Sequence, residues 1–262
     1  VISTYRPDII ISSLVGNNRI LLRGLFGLKS KPPIIVCEQN NLSRTLRKRT
    51  NPLIRKIIRF EVKFLYKHAA KVLAVSNGVK DNLIQKHNIK EDHIEVIHNP
   101  VDIQKIKNIL EINSNSEKSE NGDSKKIVAA GRLNQQKGFT DLIKAFSMVR
   151  QSISAKLTIL GEGKLRTELE EEIKSLGLEN HVDMPGFVDN PWTVINQSDL
   201  YVMSSYWEGL PLVLLEVLTC GTPIVATDCD YGPREIITDK QDGLLIPVGD
   251  TNAMKNAMIT IL

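Results

Sequence analysis

The sequence lacks the material for a metal centre, a disulfide framework or a membrane span. Its three cysteines, Cys37, Cys220 and Cys229, fit neither metal nor disulfide spacing and read as reduced thiols in or near cores. The five histidines, His68, His87, His93, His98 and His181, form no HxxxH or HxH pair. No apolar run approaches the roughly 20 residues that cross a bilayer. No signal-peptide pattern is visible. Aromatic residues are only 5% of the chain and sparse in its basic half, and no reader motif accompanies the charge, which argues against nucleic acid.

What is present is ordinary globular material. The 262 residues are 42% apolar and 24% charged, enough for two cores of modest size. A net charge of +4 hides an asymmetry. Residues 1–110 carry 20 Lys+Arg against 8 Asp+Glu, or +12, and the remainder 14 against 22, or −8. A basic half and an acidic half are expected to meet different partners. The chain opens on Val1, with Tyr5-Arg6-Pro7-Asp8 leading straight into Ile9-Ile10-Ile11, and closes inside a helical pattern from Asn252 to Leu262. A fragment is therefore expected.

Short apolar runs alternate with helical patterns. Ile9–Ile11, Ile34–Cys37, Val72–Val75 and Glu95–Ile97 read as parallel strands. Between Ile112 and Ser124 the texture turns polar and loses apolar periodicity, as a flexible connection does. A second series follows, with strands at 126–130, 157–160, 182–186, 200–203, 223–227 and 243–246 and helices at 139–149 and 164–176. The expected organisation is a partial Rossmann-like domain over 1–110, a linker over 111–124 and a second Rossmann-like domain over 125–262.

Two elements of the second domain could carry chemistry. Gly131-Arg132-Leu133-Asn134-Gln135-Gln136-Lys137-Gly138 follows a strand, where open α/β sheets bind ligands. An arginine fork and a lysine point charge suit a diphosphate, and Gly131 and Gly138 let the backbone approach it. The run from Glu208 to Glu216 places one carboxylate before a helix and a second within it. Carboxylates accept from paired sugar hydroxyls, and a helix start offers free N–H groups to an anion. Each motif alone also fits a solvated loop or a capped helix. Together, at strand ends of one domain, they describe a pocket for a nucleotide-sugar. Asp228-Cys229-Asp230 spells a D-x-D metal–nucleotide signature but reads as a loop here, and Gly161-Glu162-Gly163-Lys164 lacks full phosphate-loop spacing.

These motifs carry a resemblance. Gly131-Arg132 with Lys137-Gly138, and Glu208 with Glu216, are joined by Val75-Ser76-Asn77-Gly78-Val79, Val96 to Asp102, Pro185-Gly186-Phe187-Val188 and Asp242-Gly243-Leu244-Leu245. In this order the chain resembles a retaining glycosyltransferase of the GT-B fold, family 4, over nearly its whole length. The resemblance implies an α/β fold of two Rossmann-like domains with parallel sheets facing a cleft, the N-terminal one incomplete. It implies that Arg132 and Lys137 hold the donor diphosphate, Glu208 contacts the transferred sugar and Glu216 binds the ribose. Gly131, Gly138, Gly209, Leu210 and Leu212 would line the donor site, with Phe187 and Val188 near the base. No metal and no cofactor beyond a nucleotide-sugar substrate are implied, and the Gly232-Pro233-Arg234-Glu235 turn resembles that of enzymes that often use UDP-linked sugars. The implied acceptor is a glycan or lipid-linked saccharide of bacterial surface polysaccharide synthesis, in the cytoplasm or at the inner membrane face. A non-catalytic sugar-nucleotide or membrane module, or a GT-B epimerase, is the rival reading; a phosphorylase would need a pyridoxal-phosphate lysine that is not seen.

The basic half adds Arg55, Arg59, Lys63 and Lys67 at four-residue spacing, preceded by Arg44, Arg47, Lys48 and Arg49. Ile54, Ile57, Ile58, Val62, Leu65 and Ala69 are expected on the other side, turned to the sheet, with Glu61 among them. Over 53–71 this surface suits an anionic membrane. The chain departs from the family pattern in two places. The initial strand and glycine-rich loop are missing, and Glu38-Gln39-Asn40-Asn41 stands where many members have a histidine.

Overall fold

The computed structural model describes residues 2–26, 28, 31–43, 46, 51–113 and 124–262. Arg44, Arg47, Lys48, Arg49 and most of the expected linker lie outside the described residues. The chain forms two compact units: Val1–Asn99 with Asp230–Gly232, and Pro100–Cys229 with Pro233–Leu262. This division lies upstream of the boundary expected near residue 110. The cause is the helix at Ile103–Ile112, which packs against two helices of the second unit and buries Ile106 there.

The first unit holds four strands in sequential order: β1 (Ile10–Ser13), β2 (Ile34–Glu38), β3 (Lys71–Ala74) and β4 (Ile94–Val96). All pairs are parallel. The crossovers are α1 (Val15–Gly24), α2 (Pro52–Leu65) and α3 (Asn77–His87). Right-handed crossovers stepping in one direction put all three helices on one face of the sheet. Burial follows: Ile34, Val36, Glu38, Val72, Ala74 and Ile94 are covered. Their neighbours Ile35, Cys37 and Leu73 are only half-buried, and Ile11 is exposed. Register aligns this second face as Ile11–Ile35–Lys71 and Ser13–Cys37–Leu73–Glu95.

The second unit opens with α4 (Ile103–Ile112), then β5 (Lys125–Ala130), α5 (Phe139–Val149), β6 (Ala155–Leu160), α6 (Arg166–Ser175), β7 (Val182–Gly186), α7 (Pro191–Asn196), β8 (Leu200–Met203), α8 (Leu212–Cys220), β9 (Ile224–Thr227), α9 (Pro233–Ile236), β10 (Leu244–Ile246) and α10 (Thr251–Ile261). The strand order is β10-β9-β8-β5-β6-β7, all parallel. Both faces are covered. Ile127, Ala129, Val202 and Val225 join one core with Phe139, Phe146 and Met254, while Val128, Tyr201, Met203 and Ala226 join another with Leu214 and Val217. Every residue of β8 and β9 is buried, as expected of central parallel strands.

The strand order reverses between β5 and β8. In open α/β sheets such a switch point leaves a crevice beyond the carboxyl ends of the two strands. The segments leaving β5 and β8 are the two singled out from sequence.

Candidate functional site

At the switch point, β5 delivers Gly131 and Arg132, and a single turn at Gln135–Lys137 follows. Asn134 caps that turn, its side chain accepting from Lys137 N at 3.3 Å. Gly138 has φ +63, and a Cβ there would run into the Ser204 carbonyl oxygen. The position therefore demands glycine on both counts. Ser204 Oγ in turn donates to Lys137 O at 2.7 Å, and Tyr206 N donates to Gln136 O at 2.8 Å. These bonds stitch the loop after β5 to the loop after β8.

The stitching brings Lys137 to Glu208. Lys137 Nζ lies 2.8 Å from Glu208 Oε1, with the glutamate nearly buried. The carboxylate also accepts from Ser205 Oγ at 2.7 Å and from Gln136 Nε2 at 3.3 Å. Gln136 Nε2 donates as well to Trp207 O at 2.9 Å, which fixes the amide. The lysine stem passes close to Gly131, where a Cβ would stand 3.0 Å from its Cε. Glycine here is what lets the cation cross the end of β5.

Arg132 is exposed, makes no ion pair among the described residues, and lines a cavity of about 400 Å³ with Gly131, Glu162, Phe187, Val188 and Pro191. Glu162 in this wall is held by Arg166 at 2.5 and 3.0 Å, and Arg166 also donates to Met184 O. That clamp ties the turn after β6 to β7. The Arg166 guanidinium, paired with Glu162 and Glu170, is held well above its ordinary value.

Glu216 is half-buried on α8, and burial raises its carboxyl pKa. The neighbouring Trp192 indole N–H opposes that rise, but it stands outside hydrogen-bond geometry. Tyr201, buried on β8, links the parts. Its hydroxyl donates to Ala130 O at 3.3 Å, and its pKa is raised by burial first and then by the charges of both Glu208 and Glu216. The two carboxylates thus converge on one hydroxyl at the end of β5. No side chain caps the N-terminus of α8, which begins at Leu212, and Gly209 and Leu210 are buried just before it.

The structure gathers the expected residues in two neighbouring groups. Gly131, Arg132, Phe187 and Val188 border the cavity, while Lys137, Gly138 and Glu208 form the stitched pair beside it. Glu216 approaches from α8. Asp228 of the D-x-D sequence has both oxygens engaged by Arg234, and Cys229 is in the core. Sequence reasoning gave no role to Gln136, Ser205, Tyr201 or Trp192. Gln136 and Ser205 stood inside or beside the quoted motifs, but only folding shows that they converge on one carboxylate. For α7 the signal was Asn190-Pro191, a helix start passed over in a six-residue element.

A doubly covered parallel sheet with a cation–carboxylate pair at its switch point defines a protein of the Rossmann-like, nucleotide-binding class. Comparison narrows this. The family described as Glycosyl transferases group 1 matches residues 111–262, and Glycosyltransferase Family 4 matches residues 1–105. The chain belongs to the glycosyl transferases group 1 family. It is 32% identical over 247 residues to an uncharacterized glycosyltransferase of Methanocaldococcus jannaschii, covering 90% of this chain and 59% of that protein. It is 32% identical over 243 residues to the N-acetylgalactosamine-N,N'-diacetylbacillosaminyl-diphospho-undecaprenol 4-alpha-N-acetylgalactosaminyltransferase of Campylobacter jejuni, covering 92% and 63%. The chain thus spans about three-fifths of the length of these relatives. The solved structure of Anabaena HepE with UDP-glucose superposes with a TM-score of 0.81 at 20% identity, over 98% of this chain and 70% of that one. At that identity the likeness establishes the GT-B fold.

Proposed function

We propose that the chain is part of a retaining glycosyltransferase that moves a hexose or N-acetylhexosamine from a UDP-linked donor to a lipid-linked glycan acceptor. The observation that carries this reading is the Lys137–Glu208 pair at the switch point, with Arg132 free beside it. Arg132 and Lys137 together offer two positive charges to a diphosphate at the crevice. The base would enter the cavity beside Phe187 and Val188, and Glu216 would take the ribose hydroxyls. Glu208, fixed by Ser205 and Gln136, is placed to accept from sugar hydroxyls once Lys137 turns to the phosphates.

Departure of the diphosphate leaves an oxocarbenium-like sugar. The work of these residues is to hold the donor and to stabilise the leaving charge in a partly desolvated site. Same-face attack needs no protein nucleophile, because the leaving phosphate can take the acceptor's proton. The bound structures and names of similar proteins support UDP as carrier and an undecaprenyl-linked acceptor. Helix α2 is read as the surface that brings the enzyme to the membrane holding such an acceptor.

A screen of nucleotide-sugars against the full-length protein, followed by calorimetry with UDP, tests the reading. Turnover of a UDP-sugar with an anomer-retained product is expected. UDP binding without turnover of any donor would favour a non-catalytic module, and absence of UDP binding would end the proposal.

A further inference from the structure

Helix α2 carries two apolar stripes, not one. Ile58, Val62 and Leu65 are buried. On the far side, Leu53, Ile57, Phe60 and Phe64 follow each other at steps of four, three and four residues, which aligns them along the helix. They are 66%, 49%, 70% and 49% exposed. The sequence reading turned Ile54 and Ile57 to the sheet and passed over Phe60 and Phe64; the structure corrects it. Ile58 and Val62 already fill the space at the sheet, and a helix face is too narrow to bury both stripes.

The outer stripe is extended by its neighbours. Phe60 and Phe64 stack with centroids 6.5 Å apart, and Phe26, beyond α1, stacks on Phe64 at 6.2 Å. Lys31 Nζ stands 5.7 Å from the Phe26 ring. Beside the stripe runs a row of exposed cations, Lys56, Arg59, Lys63 and Lys67. The helix has one acid, Glu61, and both Arg19 and Arg23 of α1 engage it. The outward surface of α2 is therefore apolar and of one sign.

We infer that this face docks on an anionic bilayer, with Phe26, Phe60 and Phe64 lodged below the headgroups and the lysine and arginine row on lipid phosphates. An anionic bilayer supplies negative charge and an apolar layer at adjoining depths, which is the order in which this face presents its groups. A second copy would bring like charge to the same interface. The inference deepens the reading of an enzyme with a lipid-carried acceptor, but its test does not use the reaction.

The test is co-sedimentation of the 262-residue chain with vesicles of phosphatidylglycerol, and with vesicles of phosphatidylcholine alone. Binding is expected to the former. Phe60→Ser with Phe64→Ser should weaken it about tenfold or more, because inserted apolar area is lost. Lys56→Glu with Lys63→Glu should weaken it at least as much, in a salt-sensitive way. Both pairs are exposed, so circular dichroism should match the parent. Equal binding by the phenylalanine variant, or no binding by the parent chain, overturns the inference. So does a parent that is dimeric in light scattering and made monomeric by the same change, which would assign the stripe to a second copy. Calorimetry with UDP on the same samples reads the donor site separately. Loss of UDP binding there counts against the glycosyltransferase reading and leaves the docking result intact.

Discussion

Single side chains decide two outcomes. Lys137 and Glu208 satisfy each other in a nearly buried setting, and removing one partner strands the other's charge. Lys137→Met should cost about 1–3 kcal/mol of stability, and Glu208→Gln added to it should return part of that. Melting curves of the single and double variants check this, while transfer by the full-length enzyme should be lost in both. If the single variant keeps full stability and full transfer, the pair has neither role. Glu38 is the second case. It is buried at the end of β2, accepts from Asn18 Nδ2 at 3.0 Å and from the Tyr66 hydroxyl, and burial raises it to about 7 against those two bonds. The Cys37 thiol beside it is raised by burial and by the Glu38 charge, and Arg19 faces Tyr66. The folded chain therefore holds a proton that the unfolded chain gives up near 4.5. Stability from this group is complete below about 4.5 and is lost as pH rises through about 7, by on the order of 3 kcal/mol. Glu38→Gln should flatten that slope, its amide reaching the otherwise unpaired Asn18 Oδ1. Thermal melts across this pH range read it directly, and an unchanged slope would clear Glu38 of the effect.

At the scale of elements, caps and turns set the local structure. Asp250 closes the start of α10, its carboxylate accepting from Ala253 N at 2.8 Å. Asp250→Ala should cost about 1 kcal/mol and lower the melting temperature of the second unit without touching the site, as scanning calorimetry would show. Much of this level was legible. The strands of the second unit fall within two residues of their expected bounds, and α5 matches from Phe139 to Val149. Apolar runs closed by glycine are strong local signals, and Gly131 and Gly138 mark where the chain must turn. The outward stripe of α2 was not legible. Periodicity showed that the helix has an apolar side, but it could not tell which of two such sides meets the sheet. Nor could spacing show that Gln136, Ser205 and Lys137 converge on Glu208, since that depends on how the loops after β5 and β8 are bonded to each other.

The whole molecule is two units, each with its own core. They should unfold in separate calorimetric transitions. Saturating UDP should raise only the transition of the unit that carries Arg132 and Lys137, by about 2.7 kcal/mol at a hundredfold excess over Kd. A shift of both, or of the other alone, would place the nucleotide elsewhere. The fold class was readable from the alternation of strands and helices. The placement of α4 with the second unit was not, because the polar stretch after Ile112 looked like the natural seam. The sheet of the first unit has a further consequence. Cys37 lies half-buried on its uncovered face, while Cys220 and Cys229 are buried in the second unit. A maleimide should therefore tag the first of these thiols ahead of the others. Protection of that tag in a longer form of the protein would report, as a chemical footprint, that an added layer has closed over the strands.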